Sequence, residues 1–251
     1  MIKIDPNKIC YIFDVDGTLT EPRQEMNSQF KEEFKVWLED KQAIIATGSD
    51  YNKTKEQVPR DILSLFEYTF CCMANEVRNS KGTILERSDF IIPAELEDSL
   101  ANFLMWTKFP YKCGNHIEFR TGMVNFSIVG RRATLEQRKE YNKWDNLNEE
   151  RKKIADFINK SFPTLEASIG GSISVDIIEQ GCDKGQVVHY LENAGVTKVV
   201  FVGDRCFPGG NDYGIIRELK KSDLAFEWYN VSGPDDTLGL IRLNPVFGGG
   251  K

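Results

Sequence analysis

The sequence predicts an α/β protein: a Rossmann-like parallel-sheet core interrupted by an inserted α+β domain. Three observations carry this. Short β-prone apolar runs stop at turn residues and alternate with helical spacing in the first third of the chain. That alternation gives way to hairpin-like segments between about residues 87 and 180. It then resumes at Gly181. The expected boundaries are therefore a discontinuous core of 1–86 plus 181–251 and an insertion of 87–180, with hinge segments near 84–87 and 179–182.

The first strand is the run ending Tyr11-Ile12-Phe13, followed by Asp14-Val15-Asp16-Gly17-Thr18. Residues two apart on a strand point to one side, so Asp14 and Asp16 can share a face at its end. Gly17 then permits a tight turn. Two carboxylates near free amide groups suit a hard cation and a phosphate, although an Asp-Gly turn alone is commonplace. A helix over about 24–40 places Phe30, Phe34 and Leu38 on one stripe. Ala43–Ala46 reads as a second buried strand, ending in Thr47-Gly48-Ser49. A hydroxyl of Thr47 or Ser49 could meet a phosphate oxygen; a helix cap explains either as well. A second helix runs from Tyr51 to about Val58 and stops at Pro59.

In the insertion, a helix over 93–107 carries Leu96, Leu100, Phe103 and Leu104 on one face. Ile117–Arg120 and Met123–Ile128 form a hairpin about Thr121-Gly122. A charged helix is expected over 148–162, then strands at 165–168 and 173–178 around Gly170-Gly171. In the returning core, Lys184 begins a helix reaching about Asn193. Val199–Val202 is a buried strand ending in Gly203-Asp204, and 225–231 reads as another strand. The glycine-rich tail, Phe247–Lys251, reads as disordered.

Composition narrows the function. With 41% apolar and 28% charged residues, the chain is that of a globular protein without a membrane span. Its net charge of −6 argues against a general nucleic-acid binder. The six cysteines show neither a disulfide nor a zinc pattern, and the first residues lack the apolar core of a signal peptide; a cytoplasmic protein is expected. Between Lys108 and Lys143, eight Lys/Arg stand against three Glu and no Asp, so the insertion could hold an anion.

The segments FDVDGTLTEPRQ, GSD (48–50), IEFRTGMVNFSIVGR, SIGGSISVDII, GCDKG and FVGDRCFPGGND, with the Arg131-to-Arg138 spacing, resemble the eukaryotic α-phosphomannomutases. Those enzymes are haloacid dehalogenase-type phosphotransferases with an inserted cap. The resemblance implies Asp14 as nucleophile and Asp16 as general acid/base, with Lys184 steadying a phospho-aspartate and Thr47 and Ser49 competing for a phosphate-binding role. It also implies Mg²⁺ held by Asp14, the Asp16 backbone carbonyl and Asp204, with Asn211 and Asp212 close by. Arg23, Arg120, Arg131, Arg138, Ser174 and Asp176 match substrate-binding positions.

The implied reaction interconverts mannose 6-phosphate and mannose 1-phosphate, with hexose 1,6-bisphosphate as activator, and feeds GDP-mannose synthesis. A homodimer through the cap is also implied. A sugar phosphatase would share the core residues, and a non-catalytic sugar-phosphate-binding protein is a rival from another class. Three features depart from the family pattern. Cys71–Glu76 replaces a Pro-Glu-Asn-Gly segment, Thr47 stands where glycine is usual, and Glu218 is the sole acidic candidate for a second cation over 213–220.

Overall fold

The computed structural model describes residues 2–243, so the tail at 247–251 lies outside the described residues. The chain divides into two compact units, residues 1–87 with 182–251 and residues 88–181.

The first pass through the core unit runs β1 (Cys10–Phe13), α1 (Ser28–Leu38), β2 (Gln42–Ala46), α2 (Tyr51–Gln57) and α3 (Arg60–Leu63). Three further strands follow: β3 (Tyr68–Cys71), β4 (Glu76–Asn79) and β5 (Ile84–Arg87). The second unit contains α4 (Ala94–Trp106), β6 (Ile117–Arg120), β7 (Met123–Phe126) and α5 (Leu135–Asn148). It continues with α6 (Glu150–Ser161), β8 (Leu165–Gly170) and β9 (Ser174–Glu179). The chain then returns to the core with α7 (Gln186–Asn193), β10 (Lys198–Gly203), α8 (Tyr213–Leu219), β11 (Ala225–Asn230) and α9 (Pro234–Leu243).

The core sheet has the order β11-β10-β1-β2-β3-β4-β5. It is parallel from β11 to β3, and β4 and β5 are antiparallel. Both faces are covered. Ile12, Ile44 and Phe201 pack on one side with Val187 and Leu191 of α7, while Phe13, Ile45 and Val202 pack on the other with Phe30 and Phe34 of α1. Burial on both sides explains the unbroken apolar runs. Strand β1 pairs with β2 on one side and β10 on the other, so the direction of winding reverses there. The end of β1 is the topological switch point, where ligands of open α/β sheets bind.

The second sheet, β6-β7-β9-β8, is wholly antiparallel. Val124, Phe126, Val175, Ile177 and Ala167 point to one face and pack against Leu96 and Leu100 of α4 and Ile154 and Ile158 of α6. The alternate residues face the other way. Register sets Glu118 opposite Asn125, Asn125 opposite Asp176, and Asp176 opposite Ser168, a polar row across all four strands.

Several expectations shift. Helix α1 starts at Ser28, because Asn27 caps it by accepting from the Gln29 and Phe30 amides. Strand β7 ends at Phe126, where Ser127–Gly130 turns. The charged helix expected over 148–162 is α6, and a left-handed Glu149 (φ 52°) separates it from α5, which precedes it. Lys184 precedes α7 by two residues instead of opening it.

Candidate active site

The chain leaves β1 at Phe13, and one more amide, that of Asp14, still donates to Val202 of β10. Thereafter Thr18, Leu19 and Thr20 all donate to the Val15 carbonyl, closing a tight turn. Strand hydrogen bonding therefore ends at Asp14, and the turn sets where Asp16 goes. The Asp14 carboxylate is buried against Lys184. Asp16 instead accepts from the Arg23 amide at 2.8 Å and Gln57 Nε2 at 2.9 Å on one oxygen, and from Ser49 Oγ at 3.3 Å on the other.

Gly17 has φ 81°, and a Cβ there would lie 2.6 Å from Asp204 Oδ2. The turn needs glycine both for its backbone conformation and for room beside that carboxylate.

Lys184 is completely buried, and its Nζ lies 2.5 Å from Asp14 Oδ1 and 2.6 Å from Asp212 Oδ1. Asp212 is anchored in turn by the Arg205 amide at 3.0 Å. Burial pushes Asp14 up to about 8, Lys184 opposing the shift while Asp212 and Asp204 add to it. Asp204 rises to about 6, first through burial and then through Asp212. Burial alone would lower Lys184, but the two carboxylates together hold its ammonium above the usual lysine value.

Thr47 is buried, and its hydroxyl accepts from the Ser49 amide at 3.1 Å, while the Ser49 hydroxyl donates to Asp16. The Thr47 and Ser49 backbone carbonyls accept from Met73 and Cys72, which with Ala74 form three successive left-handed residues. Cys72–Ala74 is where the sequence departs from the Pro-Glu-Asn-Gly pattern. Gln57, nearly fully buried, donates to both Asp16 and Thr20; nothing in its sequence context marks it.

Within the second unit, Glu118 Oε2 accepts from Arg120 Nη2 and from Arg131 Nε, each at 2.8 Å. Arg138 spends its fork on backbone: Nε donates to Ala133 O at 3.0 Å and Nη2 to Arg131 O at 2.8 Å. Asp176 accepts from the Asn125 amide, and burial raises its carboxyl against the pull of Asn125, Arg120 and Arg131. Ser174 is buried on the same strand face, two residues from Asp176. Arg120 Nε and Asn125 Oδ1 are buried without a hydrogen-bond partner among the described residues. Arg23 belongs to the core unit, exposed and left-handed (φ 62°).

Solved structures share this architecture. A phosphatase of the haloalkanoate dehalogenase superfamily from Bacteroides thetaiotaomicron matches with a TM-score of 0.59 at 17% identity, over 99% of this chain and 96% of that one. An IMP-nucleotidase from Plasmodium falciparum matches with a TM-score of 0.59 at 15% identity, over 94% and 67% of the two chains. The fold is thus that of the haloacid dehalogenase-like proteins.

The eukaryotic phosphomannomutase family model matches residues 30–246. Phosphomannomutase 1 of Dictyostelium discoideum is 34% identical over 94% of this chain and 96% of its own length. The phosphomannomutase of Dendrobium officinale is 33% identical over 94% of each chain, and that of Saccharomyces cerevisiae 33% over 92% and 91%. This chain belongs to the eukaryotic phosphomannomutase family.

Enzymes of the superfamily generally use Mg²⁺, and the residues present fit it. Asp14, Asp204 and Asp212 each offer a carboxylate oxygen, all within 4.8 Å of one another. With all three ionised, the carboxylates and the Lys184 ammonium carry a net charge of −2, the charge a divalent cation balances. The buried Asn211 Oδ1, lacking a partner among the described residues, is a further hard oxygen of the kind such an ion takes.

Proposed function

We propose that this chain is a phosphomannomutase, interconverting mannose 6-phosphate and mannose 1-phosphate through a phospho-aspartate and a hexose bisphosphate. Lys184 carries the reading. A completely buried ammonium fixed between two carboxylates holds Asp14 in place and screens its charge from an incoming phosphate.

Lys184 engages only Oδ1 of Asp14. A carboxylate has a second oxygen, and that oxygen attacks phosphorus as the bond from phosphorus to the sugar oxygen breaks. Asp16 supplies the proton that the departing sugar oxygen takes up. In the other half of the reaction, the free hydroxyl of a bound hexose monophosphate gives its proton to Asp16 and attacks the phospho-aspartate, restoring the Asp14 carboxylate and forming the hexose bisphosphate. Gln57, the Arg23 amide and Ser49 fix the Asp16 carboxylate for both transfers. Mg²⁺ held by Asp14, Asp204 and Asp212, with Asn211 and the Asp16 carbonyl adjacent, would neutralise the anions that must meet.

A mutase also needs a hold on the phosphate that is not reacting. Arg120, Arg131 and Arg138 provide guanidinium groups for it, Ser174 and Asp176 provide partners for sugar hydroxyls, and Arg23 contributes from the core. Hexose 1,6-bisphosphate acts as activator by charging Asp14. Among the described residues no helix is long and apolar enough to cross a membrane. The enzyme is read as cytoplasmic and as a homodimer through the cap, where α4 exposes Met105 and Trp106.

Phosphorus NMR tests the activity. Mannose 1-phosphate with Mg²⁺ and catalytic hexose 1,6-bisphosphate should give mannose 6-phosphate, with free phosphate appearing much more slowly. Stoichiometric inorganic phosphate without transferred hexose phosphate would replace the mutase by a phosphatase.

A further inference from the structure

Glu118 lies at the centre of the arginine cluster, yet it is an anion in a place suited to binding one. Strand alternation makes this placement unavoidable: Glu118 and Arg120, two apart on β6, share the polar face of the sheet. Arg131 comes from the turn after β7 and reaches the same carboxylate oxygen. One oxygen thus joins a guanidinium from a strand to a guanidinium from a loop, at 2.8 Å each. The loop is held from its other side by Arg138, which donates to the Arg131 carbonyl.

These contacts run through Nη2 of Arg120 and Nε of Arg131, one nitrogen of each group. A guanidinium carries five N–H donors, so each can be fixed in this way and still bind an oxyanion. Without the carboxylate, two adjacent cations repel, and two long side chains regain their rotamer freedom. An incoming phosphate would then have to order both.

We propose that Glu118 is a positioning residue for the non-reacting phosphate of the substrate, fixing Arg120 and Arg131 as one pre-ordered pair. The proposal rests on the mutase reading for the identity of the substrate. It adds a residue whose charge, by simple electrostatics, should have opposed that binding.

The test compares Glu118→Ala and Glu118→Gln with wild type on mannose 1-phosphate, and on p-nitrophenyl phosphate, which has no second anchoring group. Glu118→Ala should raise KM for mannose 1-phosphate roughly tenfold or more, the weight of a charged hydrogen-bond pair. Hydrolysis of p-nitrophenyl phosphate should change less than about twofold, which a general loss of structure would not allow. Glu118→Gln keeps the shape and one acceptor, and should fall between, so a poorly folding alanine variant does not end the test.

A second readout is non-additivity. Introduced into an Arg120→Ala/Arg131→Ala protein, Glu118→Ala should have no further effect on mannose 1-phosphate. Equal losses on both substrates, or full additivity with the arginine changes, would overturn the proposal. The mutase reading fails separately, if wild type releases only inorganic phosphate from mannose 1-phosphate. KM for that release then still reports on Glu118.

Discussion

The two sheets place functional groups by opposite means. The central strands β1, β2 and β10 of the core sheet are buried on both faces and carry nothing polar between their ends, so chemistry begins one residue past them. Asp14 follows β1, Asp204 follows β10, and Thr47 follows β2. The second sheet packs one face against α4 and α6, and its polar groups come from the strands themselves on the other face, as in the row Glu118, Asn125, Asp176 and Ser168. A loop at a strand end can be shaped tightly around one atom. A polar sheet face spreads donors and acceptors over several ångströms. The first arrangement suits a reacting centre, and the second suits holding a substrate that must be released and taken up again.

The largest effect should follow from Asp14→Asn. If the core loop alone carries the chemistry, this change should lower turnover by roughly a thousandfold or more on every phosphate ester, large or small. Steady-state assays on mannose 1-phosphate and p-nitrophenyl phosphate check it, with circular dichroism to show that the fold persists. Retained activity on either would place the nucleophile elsewhere and dissolve the contrast between the sheets.

Lys184→Met probes the same centre through stability. It strips the counter-charge from Asp14 and Asp212, both buried. Breaking a buried ion pair from one side costs about 3–5 kcal/mol. Urea unfolding should show that loss. Arg120→Met removes a partner from Glu118, whose side chain keeps a third of its surface exposed, and should cost about 1 kcal/mol or less. Similar losses for the two substitutions would mean that the sheets are not energetically distinct.

This contrast also explains what could be read from the sequence. Core groups sit next to one another in short local strings, so DVDGT, GCDKG and GDRCFPGGND pointed to Asp14, Lys184, Asp204 and Asp212, and the structure brings these four together. Gln57 and Glu118 escaped notice because their partners, Asp16 and Arg131, lie 41 and 13 residues away and meet them only through tertiary packing. Strands β4 and β5 escaped as well. Glu-Val-Arg-Asn and Ile-Leu-Glu-Arg lack the apolar runs of their neighbours, and β5 is exposed along its whole length at the sheet edge.

The smallest effect concerns left-handed backbone, which Gly17 and Glu149 adopt under different constraints. In the core, Gly17 sits at φ 81° with Asp204 where a Cβ would go, so both conformation and space demand glycine. In the second unit, Glu149 holds φ 52° and ψ 36° between α5 and α6 with its side chain in solvent. Its amide donates to the Asp145 carbonyl, the bond that closes α5, and a glycine would keep that bond. Relief of the left-handed strain is worth about 1–2 kcal/mol. Against it stand the extra unfolded-state entropy of glycine, about 0.4–1 kcal/mol, and a 3.7 Å surface ion pair with Lys152, worth little between such exposed groups. The balance favours the variant: Glu149→Gly should raise stability by about 0.5 kcal/mol, read as a higher urea midpoint at unchanged slope. Glu149→Ala, which keeps a Cβ in the strained conformation, should give no gain. A Glu149→Gly protein no more stable than Glu149→Ala would show that the helix junction is unstrained, and that left-handed backbone costs this chain nothing where there is room for a side chain.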